Sequence, residues 1–426
     1  MEAWKSLYRD RCVPAERALK AVKSGDRVVL GHAAGEPREL VRELLRQAGR
    51  LRGVEIVHMV PLYPCEYAKP EYKESFTHNS LFVGAGSREA VNAGRADYTP
   101  CFFSEIPRLF RDRILPVDVA LIQLSPPDKH GYMSFGVSVD YTMQAARSAR
   151  LTIAEVNRQT PRTHGSYIHV SEVDLLVEAD YSLPEIPLPE ISEVEERIGA
   201  HVASLVPDGA NLQLGIGAIP DAVLKFLGDK RDLGIHTEMF SDGVVHLFDL
   251  GVVTNRFNNL NPGKFTASFL MGTQRLYDFV HENPAVNMMP IDYTNSVRVA
   301  GALDNLISIN SALEVDLKGQ VCSEMIGSRQ FSAVGGQVDF VRAASASAGG
   351  KSIIAFPSTG KNGSVSRIVA DLSPGACVTT SRNDVHFVVT EYGVADLRGK
   401  TVRQRAEALV GIAHPDFRES LRAGKE

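Results

Sequence analysis

Short aliphatic runs, Gly-rich turns and amphipathic stretches alternate along the chain, and this alternation predicts β-α-β units. Arg27–Leu30 reads as a strand, 31–37 as a turn, and 38–48 as a helix with Leu40, Val41, Leu44 and Leu45 on its apolar face. Residues 53–60 follow as the next strand. Later strands are predicted at 120–124, 151–156, 175–178, 211–214, 353–356 and 386–390. The alternation predicts an open, mostly parallel α/β sheet, with ligands at the carboxyl ends of its strands.

The clearest break is 182–192 (SLPEIPLPEIS), where three prolines can continue neither a helix nor a central strand. A helix over 193–205 follows, with Ser192 as its N-cap. The break predicts an N-terminal α/β domain over 1–185 and a C-terminal one over 186–426. A weak duplication supports two similar domains. VVLGHAAGEPRELVRELL followed by VEIVHMV parallels LQLGIGAIPDAVLKFL followed by LGIHTEMF. Aligning His58 with His236 sets Val60 opposite Glu238, so only the second copy carries a carboxylate there.

A length of 426 residues suits two domains. Apolar residues at 44% and charged residues at 23% exclude disordered and fibrous classes. The net charge of −5 gives no electrostatic reason to expect nucleic acid or an anionic membrane. No apolar run approaches the ~18 residues of a membrane span. Residues 1–11 carry charges with no hydrophobic stretch behind them, so no signal peptide is expected. Cys12, Cys65, Cys101, Cys322 and Cys377 are odd in number and widely spaced, which suits reduced thiols in a cytoplasm. Nothing near any of them supplies a base for a catalytic thiol. The twelve histidines show no metal-binding spacing, and no metal is expected.

Three constellations could carry chemistry. Gly215-Ile216-Gly217-Ala218-Ile219-Pro220 follows a strand, and its two glycines allow a tight turn into a helix whose first N–H groups can hold a phosphate or oxyanion. It lacks the third glycine of the dinucleotide fingerprint and the Gly-Lys-Ser/Thr of a P-loop, so an ordinary strand-to-helix turn competes. Glu238 sits at a strand end beside Met239 and Phe240, where desolvation makes a carboxylate a raised-pKa acid or a stronger nucleophile. A solvated strand-end glutamate is the plain alternative. Gly335-Gly336-Gln337-Val338-Asp339-Phe340 can aim consecutive N–H groups at one acceptor, or be a helix start capped by Asp339. Residues 127–134 and 138–142 are a positioned loop or a capped surface turn, and 391–399 reads as a strand-to-helix corner.

GHAAGEP, SREAVNAGRADYTP, PDKHGYMSFGVSVDYT, QLGIGAIPDAV, TEMFSDG, INSALEVD, GGQVDF and TEYGVADLRG together resemble the acetyl-CoA hydrolase/transferase family of CoA-transferases. The resemblance spans essentially the whole chain and is closest to the 4-hydroxybutyrate CoA-transferase-like members. It implies two similar α/β domains packed with the active site between them. It also implies ping-pong transfer of CoA from acetyl-, butyryl- or succinyl-CoA to a short-chain carboxylate such as 4-hydroxybutyrate, butyrate or acetate. The transfer passes through a glutamyl-CoA thioester on Glu238. Coenzyme A is then a substrate, with no tightly bound cofactor, and the protein is a homodimer or homotetramer.

By the same resemblance Asn295 positions a carboxylate and Gly336 belongs to the oxyanion segment. CoA is contacted by Gly215, Ile216, Gly217, Ala218, Ile219, Gly335, Gly360, Lys361 and Asn383, with Lys361 meeting a phosphate. Val338 replaces the third glycine of the GGxGDF found in many relatives. Arg382 stands near where long succinyl-CoA:acetate relatives carry an acidic residue. That leaves open a dicarboxylic acceptor such as itaconate or succinate, with a surface arginine as the alternative. A short-chain acyl-CoA hydrolase on the same scaffold and a non-catalytic CoA- or nucleotide-binding module are the other readings.

Overall fold

Aliphatic runs without polar alternation belong in strands covered on both faces, and this rule accounts for most of the sheet structure. The computed structural model describes residues 3–423, so the first two and last three positions of the expected domains lie outside the described residues. The chain packs as two compact units. One comprises the residues up to Ile186 together with Thr266–Thr294, and the other Pro187–Phe265 together with the residues from Asn295 onward. The contiguous division expected at 185/186 therefore differs by the segment 266–294, which packs with the first unit.

The first unit is built on β1 (Arg27–Leu30), β2 (Val54–His58), β3 (Phe76–Ser80), β4 (Ala96–Tyr98), β5 (Val119–Leu124), β6 (Leu151–Asn157) and β7 (Leu175–Ala179). These seven strands pair in parallel, in the order β4-β3-β2-β1-β5-β6-β7. Every residue of central β5 is buried. Helix α1 (Arg38–Arg46) lays Leu40, Val41 and Leu44 on a core with Val28, Leu30, Ile56 and Leu121. The expected strands fall within a residue or two of these bounds, but β3 and β4 were not expected. β3 reads FTHNS, and its buried His78, Asn79 and Ser80 hide the apolar signal of a strand.

The second unit opens with helix α2 (Glu193–Ser204), one residue shorter than expected. Ser192 is its N-cap, as expected, and Glu195 completes a capping box that was not expected. Its sheet uses β8 (Asn211–Gln213), β9 (Gly234–Ile235), β10 (Leu306–Asn310), β11 (Lys351–Ala355), β12 (Phe387–Thr390) and β13 (Gly393–Asp396). The order is β9-β8-β10-β11-β12-β13, parallel except for the last pair. Strands β2-β1-β5-β6-β7 and β9-β8-β10-β11-β12 follow the same spatial order, and the two stretches aligned in the sequence form its β1-α1-β2 and β8-helix-β9 parts. Both sheets are open and mostly parallel α/β. One expectation is corrected. Residues 391–399 form no strand-to-helix corner, because Glu391 and Tyr392 make a two-residue turn that folds β13 back antiparallel on β12. Gly393 takes the φ of +138° that the hairpin needs.

Candidate active site

In the second unit β8 lies between β9 and β10, so the connection from β8 runs to one side of the sheet and that from β10 to the other, the strand order at which open α/β sheets bind ligands at their carboxyl ends. The Gly-rich turn follows β8 there and leads into α3 (Ala218–Lys225), with Gly217 at φ +116° as its N-cap. A Cβ on Gly215 would meet nothing within 4 Å, and Ile216 is 39% exposed, so the turn's backbone faces open space. The corresponding helix of the first unit is different. Buried Glu155 on β6 accepts the N–H groups of Glu39 (2.8 Å) and Leu40 (2.9 Å), filling the α1 N-terminus with the chain's own carboxyl group.

Glu238 lies just after β9 and before the two-residue strand Met239–Phe240, so it sits between two short strands rather than at the end of one. Asn295 is fully buried, and its Nδ2 donates to Glu238 Oε2 over 2.9 Å. Gly336, the N-cap of α4 (Gln337–Ala346), closes the group: a Cβ there would collide with Glu238 Oε2 and Asn295 Nδ2. Gly335 precedes it at φ +54°. The fold thus brings Glu238, Asn295 and Gly336 into contact from three distant stretches of chain.

Other residues around this group carry no motif signal on their own. The hydroxyl of fully buried Thr237 lies 2.9 Å from the carbonyl oxygens of both Leu214 and Met239 and accepts the Leu214 N–H at 3.3 Å. It therefore ties the base of the Gly-rich turn to the peptide that carries Glu238. At the end of β8, Gln213 Oε1 accepts from Ser308 Oγ (2.7 Å) in the middle of β10 and Asn310 Nδ2 (3.0 Å) at its end. On α3, burial pushes the Asp221 carboxyl up to about 6; a hydrogen bond from Ser241 opposes the rise and the Asp242 charge adds to it.

The remaining expected positions lie in two other loops. Gly360 and Lys361 begin the tip of a hairpin that pairs Thr359–Gly360 with Val365–Ser366, and Lys361 is exposed. Asn383 is exposed in the loop that enters β12. In the first unit, 138–142 is no surface turn. Buried Asp140 accepts from Ser138 Oγ (2.6 Å) and the Tyr141 N–H (2.7 Å), and lies 3.0 Å from His32 Nδ1. Among the described residues no group of three or more His, Cys, Asp or Glu side chains could hold a metal ion, and no helix is long and apolar enough to cross a membrane.

Known proteins match this chain along its length. The acetyl-CoA hydrolase/transferase N-terminal domain model matches residues 2–187 and the C-terminal domain model residues 272–424. A 4-hydroxybutyrate coenzyme A transferase of Clostridium kluyveri is 58% identical over 419 residues, 98% of each chain. A succinyl-CoA:cyclohexane-1-carboxylate CoA transferase of Geobacter metallireducens is 49% identical, covering 98% of this chain and 96% of its own. The crystal structure of RipA from Yersinia pestis superposes with a TM-score of 0.95 at 38% identity, covering 99% of this chain and 98% of that one. With one model matching each half and relatives alike over nearly the full length, the chain belongs to the acetyl-CoA hydrolase/transferase family.

Proposed function

We propose that this protein is an acyl-CoA:carboxylate CoA-transferase with Glu238 as its nucleophile. The carrying observation is the contact of Glu238 with Asn295 Nδ2, on a face kept clear by the missing side chain of Gly336. A Glu238 oxygen attacks the thioester carbonyl and forms a tetrahedral oxyanion. Its collapse expels CoA thiolate and leaves a mixed anhydride. The thiolate then attacks the Glu238 carbonyl, the donor acid leaves as a carboxylate, and a glutamyl-CoA thioester remains. An acceptor carboxylate runs the same steps backwards. Each step needs donors in place for the oxyanion, and the chain near Gly335 and Gly336 has the backbone to supply them.

The open turn at Gly215–Ile219 and the exposed Lys361 are the proposed CoA contacts, with Gly335, Gly360 and Asn383. CoA enters as a substrate. The names of the relatives suggest short-chain carboxylates, 4-hydroxybutyrate first, as acceptors. The proposal extends to a homodimer or homotetramer in a reducing cytoplasm, which the five free cysteines support.

Replacing Glu238 with Gln tests the reading: exchange is lost while CoA still binds. Borohydride reduction after butyryl-CoA treatment, followed by mass spectrometry, places the label on Glu238. Full exchange activity in Glu238→Gln would sink the proposal. Acetate added to the butyryl-CoA assay separates transfer from hydrolysis, because a transferase makes acetyl-CoA and a hydrolase releases free CoA regardless.

A further inference from the structure

The geometry points to Glu391 as a positioning residue for acyl-CoA, acting through the loop that presents Lys361; the inference rests on the proposed CoA contact of Lys361. Glu391 occupies the tight turn between β12 and β13, at the carboxyl end of β12. The neighbouring strand β11 runs parallel to it, with Ala355 opposite Val389. Ser358 therefore leaves β11 on the same edge that carries Glu391. Its N–H donates to Glu391 Oε2 over 2.8 Å and its hydroxyl to Oε1 over 2.6 Å. Both carboxylate oxygens are thus engaged by one buried serine, the first residue of the excursion that becomes the Lys361 hairpin.

The same clamp reaches the returning strand of the hairpin. The Ser358 carbonyl accepts the Arg367 N–H at 2.8 Å. The partly buried Arg367 guanidinium feels the Glu391 charge and lies against Gly360, where a Cβ would come within 3.4 Å of Arg367 Nε. Beyond this base the hairpin is exposed and holds itself together. Gly363 N–H donates to the Gly360 carbonyl at 3.1 Å, and Ser364 Oγ to the Lys361 carbonyl at 2.9 Å. Lys361 and Asn362 take φ values of +48° and +57°, a left-handed pair that persists only when the surroundings dictate it. The backbone that carries an exposed lysine is thereby tied at its base to a carboxylate on the sheet. Such fixation suits recognition of a phosphate by a point charge, since it removes the ordering cost from binding.

The test compares butyryl-CoA with butyryl-pantetheine, which lacks the nucleotide phosphates, using acetate as acceptor. Glu391→Ala should raise KM for butyryl-CoA about tenfold with kcat within about twofold, and leave kcat/KM for butyryl-pantetheine within about twofold. Glu391→Gln keeps one acceptor oxygen for Ser358 and should give a smaller rise, again on butyryl-CoA alone; it decides the matter if the alanine variant does not fold. An unchanged KM for butyryl-CoA, or equal losses on both thioesters, overturns the role of Glu391. Lys361→Ala separates the two levels. If it too leaves KM for butyryl-CoA unchanged, the loop is no CoA contact and the inference falls with it. If it raises KM while the Glu391 variants do not, only the role of Glu391 is wrong.

Discussion

Among the described residues Asn295 gives one half of its carboxamide to Glu238 and finds no hydrogen-bond partner for the other half. Nδ2 donates to Glu238 Oε2 over 2.9 Å, while Oδ1 is buried with no hydrogen bond. A buried amide with one spent and one unspent end orients the carboxylate it touches. Asn295→Ala should lower kcat by about 100–1,000-fold, the range seen when one preorganised donor is removed. Asn295→Asp should cost more at neutral pH, because two adjacent carboxylates cannot both ionise freely. Turnover of Asn295→Ala within about twofold of the parent would refute this role.

Gly336 separates a steric requirement from a conformational one. Its φ of −98° suits any residue, so Gly336→Ala should fold normally, yet the new methyl strikes Glu238 and Asn295. We expect kcat to fall by about 100-fold or more with little change in melting temperature, since about 1 Å of misplacement at reacting groups costs that much. Gly335→Ala should instead lower stability by about 1 kcal/mol, because the backbone there sits at φ +54°. Calorimetry beside steady-state kinetics distinguishes the two substitutions.

Thr237→Val keeps shape and removes the hydroxyl that joins Leu214 to the Glu238 segment. The buried Leu214 N–H then loses an acceptor, a loss of about 1–3 kcal/mol in a urea titration. Thr237→Ser should recover most of it. A valine variant as stable as the parent would show that the backbone groups find other partners.

The first unit should weaken in alkali. Burial pushes the Glu36 carboxyl up to about 8 and that of Glu155 up to about 7, from an ordinary value of 4.5. In the unfolded chain both ionise near 4.5, whereas in the fold they hold their protons until pH 7–8. Their stabilising contribution is therefore complete below pH 4.5 and is lost as pH rises through 7–8. Buried His58 and His78, held below their ordinary 6.5, act in the acid range instead. Melting temperature should fall from pH 6.5 to pH 9, and Glu36→Gln should flatten that slope. An unaltered slope in Glu36→Gln would contradict the assignment.

The sheets were largely legible because buried parallel strands are runs of Val, Ile, Leu and Ala, as in β1, β5 and β11. β3 was not, since its inward side chains are polar. The hairpin at Glu391 was missed because its turn lacks the Asn-Gly or Asp-Gly signature. Glu238 stood out because the duplication set an aliphatic opposite it and because it sits beside Met239 and Phe240. Its contacts with Asn295 and Gly336 join stretches separated by roughly 60 and 100 residues, and no local pattern encodes such pairings. Thr237 and the Gln213–Ser308–Asn310 network are ordinary polar residues whose significance lies wholly in where the strands end.

The segment 266–294 has a consequence for synthesis. The first unit needs it, yet it emerges from the ribosome only after Pro187–Phe265, which belongs to the second. The first unit is complete only once Thr294 has been made, and cutting the gene at 186 would leave the first fragment without 266–294. The fragment 1–186 made alone should therefore be less stable than the same fragment supplied together with 187–426, although the Pro-rich stretch looks, from sequence, like the natural place to divide the chain.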